Sequence, residues 1–178
     1  MNNIAPSDRA GSARHDDVSA DDFRGALGRY ATGVTVVTTL TPDGVPVGVT
    51  ATSFASLSLD PPLVQWSLRI AAQSHPVFHG ADRFAISILA ADQSDVSDRF
   101  SANVADRFDG AAVRSGLGGV PLIEGAMVWL ECAVEDRLPG GDHTIFVGRV
   151  QRARTFDKQP LLHWCGDYKT LSAADHSN

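Results

Sequence analysis

The sequence predicts a mainly β fold: an antiparallel, closed or nearly closed barrel with a few flanking helices. Three observations carry this. Runs of β-branched and alternating residues recur along the chain, and Pro- and Gly-bearing turns separate them. The helical stretches between them are short and irregularly spaced, whereas a doubly wound sheet needs regular alternation of strand and helix. Closing such a sheet removes its exposed edges. The chain has 178 residues, 43% hydrophobic and 20% charged, which suits one ordinary domain.

Taken in order, residues 1–18 are rich in Ser, Asp, Asn, Ala and Gly and read as a flexible tail, because they cannot bury enough apolar surface to offset ordering. Residues 19–172 form the domain, and 173–178 are a second short tail. Ser19 with Asp22 three residues on is a capping arrangement, and Phe23, Leu27 and Tyr30 follow on one face of a helix over 20–31. From Val34 the period changes. Val34–Leu40 and Val45–Thr50 flank Thr41-Pro-Asp-Gly and predict a hairpin. Leu63–Leu68 and Phe84–Leu89 are further strands. Helices are expected over 71–80 and 92–101, the second burying Val96 and Phe100. Two long alternating runs, 126–138 and 143–156, meet at Pro139-Gly-Gly-Asp and form a second hairpin.

The formal charge of −6, with no Lys/Arg run, argues against a nucleic-acid partner, whose phosphates are held by basic side chains. No stretch approaches the roughly 18 apolar residues of a membrane span, and the N-terminus lacks a secretory pattern, so a cytoplasmic protein is expected. Cys132 and Cys165 match no C-x-x-C spacing and are expected to be small buried thiols.

Standard catalytic signatures are missing: the sequence has no G-x-S-x-G, H-E-x-x-H or P-loop. Gly116–Val120 is too short and wrongly flanked for a dinucleotide fingerprint, and is expected to be a mobile connection. His75 and His79 have i, i+4 spacing but no accompanying carboxylate motif, so they are expected to be surface residues and no metal site is predicted. Glu131, Glu135 and Asp136 fall where strand alternation places an exposed face. The segment from Gly48 to Pro62 packs its hydroxyls between two apolar strands and could ring a phosphate or the edge of a flat heterocycle.

Five blocks, in order, resemble the short flavin reductase family, whose fold is a Greek-key split barrel of the FMN-binding type. They are FRxALGRYATGVTVVTT at 23–39, TATSFASLSLDPPL at 50–63, LAADQSDVSDRF at 89–100, GDHTIFVGRV at 141–150 and PLLHWCGDY at 160–168. The resemblance covers nearly all of 20–172. It implies a homodimer that reduces FAD or FMN with NADH or NADPH and passes the reduced flavin to a separate monooxygenase. Lacking an obvious basic cluster for a 2′-phosphate, the chain leans to NADH. By the same resemblance, Thr50, Ala51, Thr52 and Ser53 line the flavin ring and ribityl chain, and Ser67, Gln73 and Ser74 meet the ribityl and phosphate region. Arg99 and Phe100 lie near the flavin tail, His143 stands beside the nicotinamide as the catalytic residue, and Tyr168 closes the list.

Each position has a plainer alternative. Ala51 and Phe100 could fill core, Ser53 and Ser67 could bond backbone, Arg99 could pair with Asp95, and Tyr168 could cap the barrel. Two rival functions also stand: a flavin-binding module without turnover, and a split-barrel oxidase of a pyridoxal-type phosphate, which needs a stronger basic cluster than Arg69, Arg83 and Arg99. The chain departs from the pattern at Trp164-Cys165, in the outer wall of the nicotinamide pocket, and at Ser74, which His75-Pro follows instead of a basic residue.

Overall fold

The computed structural model describes residues 18–104 and 106–171; both expected tails, apart from Val18, lie outside the described residues. A seven-stranded antiparallel sheet forms the body. Its strands are β2 (Thr35–Leu40), β3 (Pro46–Ala51), β4 (Ala55–Leu59), β5 (Pro62–Arg69), β6 (Arg83–Ile88), β9 (Val128–Gly140) and β10 (His143–Thr155), in the order β3-β2-β6-β9-β10-β5-β4. The two ends of this order, β3 and β4, are consecutive in sequence, so the sheet curls into a barrel split between them. The predicted barrel is therefore the observed architecture.

The remaining strands make two small additions. β1 (Thr32–Gly33), β11 (Leu162–Trp164) and β12 (Asp167–Lys169) form a three-stranded sheet, and β7 (Val113–Ser115) pairs with β8 (Pro121–Ile123). Both expected hairpins form. In the β2–β3 turn Gly44 has φ +80°, which its lack of a Cβ permits, and Thr41 Oγ1 accepts from the Val45 amide at 2.9 Å.

Trp66 lies at the centre of the barrel, fully buried. Its ring stacks on Phe146 with centroids 4.8 Å apart and meets Phe78 and Phe84 edge-on at 5.0 and 5.9 Å. A second cluster, Val34, Val36, Leu89, Phe100, Ile123 and Leu161, holds helix α3 (Ser94–Ser101) to the sheet.

Several expectations change. Helix α1 (Ala20–Gly28) has the predicted Ser19 cap, which accepts from the Asp22 amide at 3.1 Å, but it ends three residues early because the chain must enter β1 at Thr32. Among the described residues its apolar face is left uncovered: Phe23 and Leu27 are each 57% exposed, and Tyr30 just beyond the helix is 76%. Helix α2 (His75–Gly80) starts where Pro76 fits the first turn, and 70–74 are turns. α3 starts at Ser94 instead of Asp92.

Glu131 is buried, not exposed, because the excursion carrying β7 and β8 roofs that part of the outer sheet face. Its carboxylate accepts from the Leu117 amide and faces Arg152 at 3.3 Å, so Gly116–Val120 is tied down at a 3₁₀ turn instead of running as a free connection. Cys132 is buried and its thiol is pushed up to about 12 by burial and by Glu131. Cys165 is exposed, with φ 51° in the β11–β12 turn. His75 is half-buried rather than a surface residue: its Nε2 lies 2.9 Å from Thr144 Oγ1. Among the described residues no helix is long and apolar enough to cross a membrane.

Candidate functional site

Ser53, in the link between β3 and β4, bridges from the split to β5. Its hydroxyl donates to the Ser67 carbonyl at 3.1 Å and accepts from the Ser67 amide at 3.0 Å. Thr35 Oγ1 fixes Ala51 by donating to its carbonyl at 2.7 Å, and Thr50 Oγ1 donates to the Ser97 carbonyl on α3, also at 2.7 Å. Segment 50–53 is thus held at Thr50, Ala51 and Ser53, leaving Thr52 and Ser53 exposed and Ala51 buried. A ligand edge laid along it meets backbone already in place.

Tyr168 belongs to the same brace. Its hydroxyl lies 2.8 Å from both Ser97 Oγ and Asp98 Oδ1, and its phenol is raised by burial, with Asp98 pushing the same way. Tyr168 therefore ties the β11–β12 hairpin to α3, and α3 in turn to Thr50.

β10 pairs with β5 so that His143 faces Arg69 and Ile145 faces Ser67. Strand alternation puts the side chains of His143, Ile145, Ser67 and Arg69 on one face, while Phe146 and Trp66 point into the barrel. His143 Nδ1 lies 2.7 Å from Asp142 Oδ1, and this pairing holds the Asp142 carboxyl below the usual carboxylate range. With one ring nitrogen engaged by Asp142, Nε2 is the nitrogen left for a ligand.

The other predicted residues separate from this face. Gln73 and Ser74 line a cleft of about 670 Å³ beside β3, whereas Thr52 opens onto another of about 940 Å³ between α1 and His163. Arg99 is exposed and donates to the Asp109 carbonyl, not to Asp95. Phe100 has no exposed surface: it packs on Gly48 and meets Phe108 edge-on at 5.0 Å, which makes it a core residue behind the site.

Sequence reasoning missed Arg107. Its Nε donates to the Ala102 carbonyl at 2.9 Å and its Nη1 to the Gly48 carbonyl at 2.8 Å, placing the guanidinium in the cleft of Gln73 and Ser74. The available signal was a second Arg-Phe pair eight residues after Arg99-Phe100.

Fold and site together define a small split barrel whose outer face offers hydroxyls, fixed backbone and one histidine paired with Asp142. The chain belongs to the flavin reductase like domain family, whose model matches residues 27–172. It is 49% identical over 150 residues to the FMN reductase (NADH) SmoA of Agrobacterium fabrum, covering 84% of this chain and 85% of that protein. It is 39% identical over 149 residues to HsaB of Mycobacterium tuberculosis, the reductase subunit of a flavin-dependent monooxygenase, covering 82% and 79% respectively. The solved NADH:FAD oxidoreductase SgcE6 of Streptomyces globisporus, in complex with NAD and FAD fragments, superposes with a TM-score of 0.84 at 35% identity, covering 93% of this chain and 99% of that one.

Proposed function

We propose that this chain is the reductase of a two-component system, transferring hydride from NADH to FMN or FAD and releasing the reduced flavin to a separate monooxygenase. The observation that carries the reading is the strand pair β5–β10 that carries Ser67 and His143, with Ser53 bonded to the Ser67 backbone. It positions and hydrogen-bonds, and it holds no side-chain chemistry of its own, which matches a reaction in which the cofactors are the reactants. The flavin, when bound, supplies the hydride-accepting ring atom.

The chain's own contribution is placement. The braced backbone of 50–53 holds one flat ring, and His143 Nε2 orients the carboxamide of the nicotinamide, so that two rings meet in reacting geometry without a further search. The direct test mixes the protein with NADH and excess FMN or FAD and follows loss of the nicotinamide absorbance. A rate no greater than that of flavin alone would leave only a binding module. In the His143→Ala variant, kcat/KM for NADH should fall by roughly 10- to 100-fold, while flavin affinity, read by fluorescence quenching, stays within about twofold. Unaltered NADH kinetics would remove His143 from the mechanism.

We further infer a homodimer in a reducing, cytoplasmic setting. Phe23 and Leu27 on α1, and Tyr30 just after it, are exposed, and Trp164 is 41% exposed on the hairpin that bonds back to α1 through the Cys165 amide and the Gly28 carbonyl at 2.9 Å. An apolar face of this size on a short helix is what a second copy covers. Sedimentation should give twice the chain mass, and Leu27→Asp should shift it toward the monomer; a monomeric wild-type protein would refute the inference. Both cysteines are unpaired, which suits a reducing compartment.

A further inference from the structure

We propose that His75 is a positioning residue for the nicotinamide side of the site: through Thr144 it latches the start of β10 to helix α2 and so sets the direction in which His143 points.

The proposal rests on the flavin reductase reading and on the role given there to His143, and it adds a residue behind that histidine. His143 needs such support. It is the first residue of β10 and lies opposite Gly140, the last residue of β9, and Arg69, the last residue of β5, so both ladders end at it. Beyond it lies the turn, where the Ile70 amide donates to the Asp142 carbonyl at 2.9 Å. The contact between His143 Nδ1 and Asp142 cannot hold the ring alone, because the Asp142 side chain is 77% exposed and ion pairs open to water hold weakly.

The next residue supplies the hold. Strand alternation turns Thr144 the opposite way from His143, into the barrel, where it is buried. Its Oγ1 lies 2.9 Å from His75 Nε2. A hydroxyl both donates and accepts, so this bond forms whichever ring nitrogen of His75 carries the proton. The next barrel-facing residue of β10, Phe146, is apolar, which makes His75 the partner that satisfies the buried hydroxyl.

The other end of the latch is firmly seated. The His75 ring meets Phe146 edge-on with centroids 6.3 Å apart, and Phe78, one turn along α2, is buried edge-on against Trp66 at 5.0 Å. Just past the helix, the Ala81 carbonyl accepts from Arg137 Nη2 on β9. α2 thus ties both strands of the β9–β10 hairpin. A rotation of β10 about its own axis, which would swing His143, must break the His75–Thr144 bond or drag α2 with it.

The test compares wild type with Thr144→Val, which keeps the shape and removes the hydroxyl, with His75→Leu, with the two combined, and with His75→Gln, whose amide nitrogen reaches the place of Nε2. In each of the first two variants kcat/KM for NADH should fall about three- to tenfold, while KM for FMN and FAD stays within about twofold. The double variant should lose about as much as the worse single one, since both remove the same bond, and His75→Gln should recover most of the loss. A second readout needs no cofactor: amide hydrogen exchange over 140–144 should quicken about three- to tenfold in Thr144→Val, with exchange in β6 unchanged. A rise in flavin KM with NADH kinetics unaltered would put His75 on the flavin side. Additive losses, or faster exchange in β6 as well, would mean a general loosening of the barrel, and wild-type behaviour throughout would mean that the latch carries nothing. Each of these overturns the proposal. If His75→Leu fails to fold, Thr144→Val is set against Thr144→Ser, which keeps the hydroxyl and must keep wild-type NADH kinetics. Failure of the underlying reading looks different: the wild-type protein would reduce no flavin, and the exchange result alone would still decide whether the latch holds.

Discussion

Trp66→Ala will destabilise the protein by about 3–5 kcal/mol, lowering the melting temperature by roughly 6–20 °C. The size follows from where the ring sits. Trp66 is 1% exposed and touches Phe78, Phe84 and Phe146, each itself buried on a different element, so none can move inward without losing its own contacts. Among the described residues the indole Nε1 has no hydrogen-bond partner, so packing holds the ring. Trp66→Phe should therefore cost much less than Trp66→Ala, since it keeps an aromatic ring and removes an unsatisfied buried donor. Differential scanning calorimetry of the two variants checks this, and equal losses would contradict it. The adjacent Ser67 bonds Ser53 across the split, so Trp66→Ala should also weaken flavin binding at temperatures where the protein remains folded.

The parts of the fold legible in sequence are those decided by neighbours along the chain. The Ser19 cap, the Thr41–Gly44 turn and the Gly140–His143 hairpin each depend on a few consecutive residues, and each forms where expected. What was misread depends on distant chain. Alternation placed Glu131 on the outer face correctly, but only the structure shows the β7–β8 excursion lying over that face. Periodicity found the apolar stripe of α1, yet it cannot say what covers a stripe. Cys165 looked like a buried thiol because its residue type is usually buried, whereas the β11–β12 turn holds it outward. At the site, the 50–53 segment stood out by its hydroxyls, while Arg107 did not: its meaning lies in two carbonyls, Gly48 and Ala102, that sequence spacing does not bring to it.

Gly148 is a case where a motif was visible and its cause was not. It stands in the GDHTIFVGRV block, at a register irregularity of the β9–β10 ladder between Val147 and Gly148. A Cβ built on it would run into Phe84 Cζ and come 3.0 Å from Cys132 Cβ, while its φ is not in the left-handed region, so the demand for glycine is steric. Phe84 and Cys132 are each 2% exposed, and Phe84 is wedged against Trp66. Gly148→Ala should thus cost about 1–3 kcal/mol by overpacking, and Gly148→Val more, because its two extra methyls enter the same space. The steric account makes a sharper demand on a double variant. Phe84→Leu removes the ring atoms that clash, so Gly148→Ala combined with Phe84→Leu should be less destabilised than the sum of the two single changes, by about 0.5–3 kcal/mol. Chemical denaturation of the four proteins measures that coupling. Strict additivity would mean that Phe84 does not limit the site, leaving Cys132 Cβ as the obstacle. The same crowding links core to function, since β10 begins at His143 and any outward shift at Gly148 must pass along the strand that carries it.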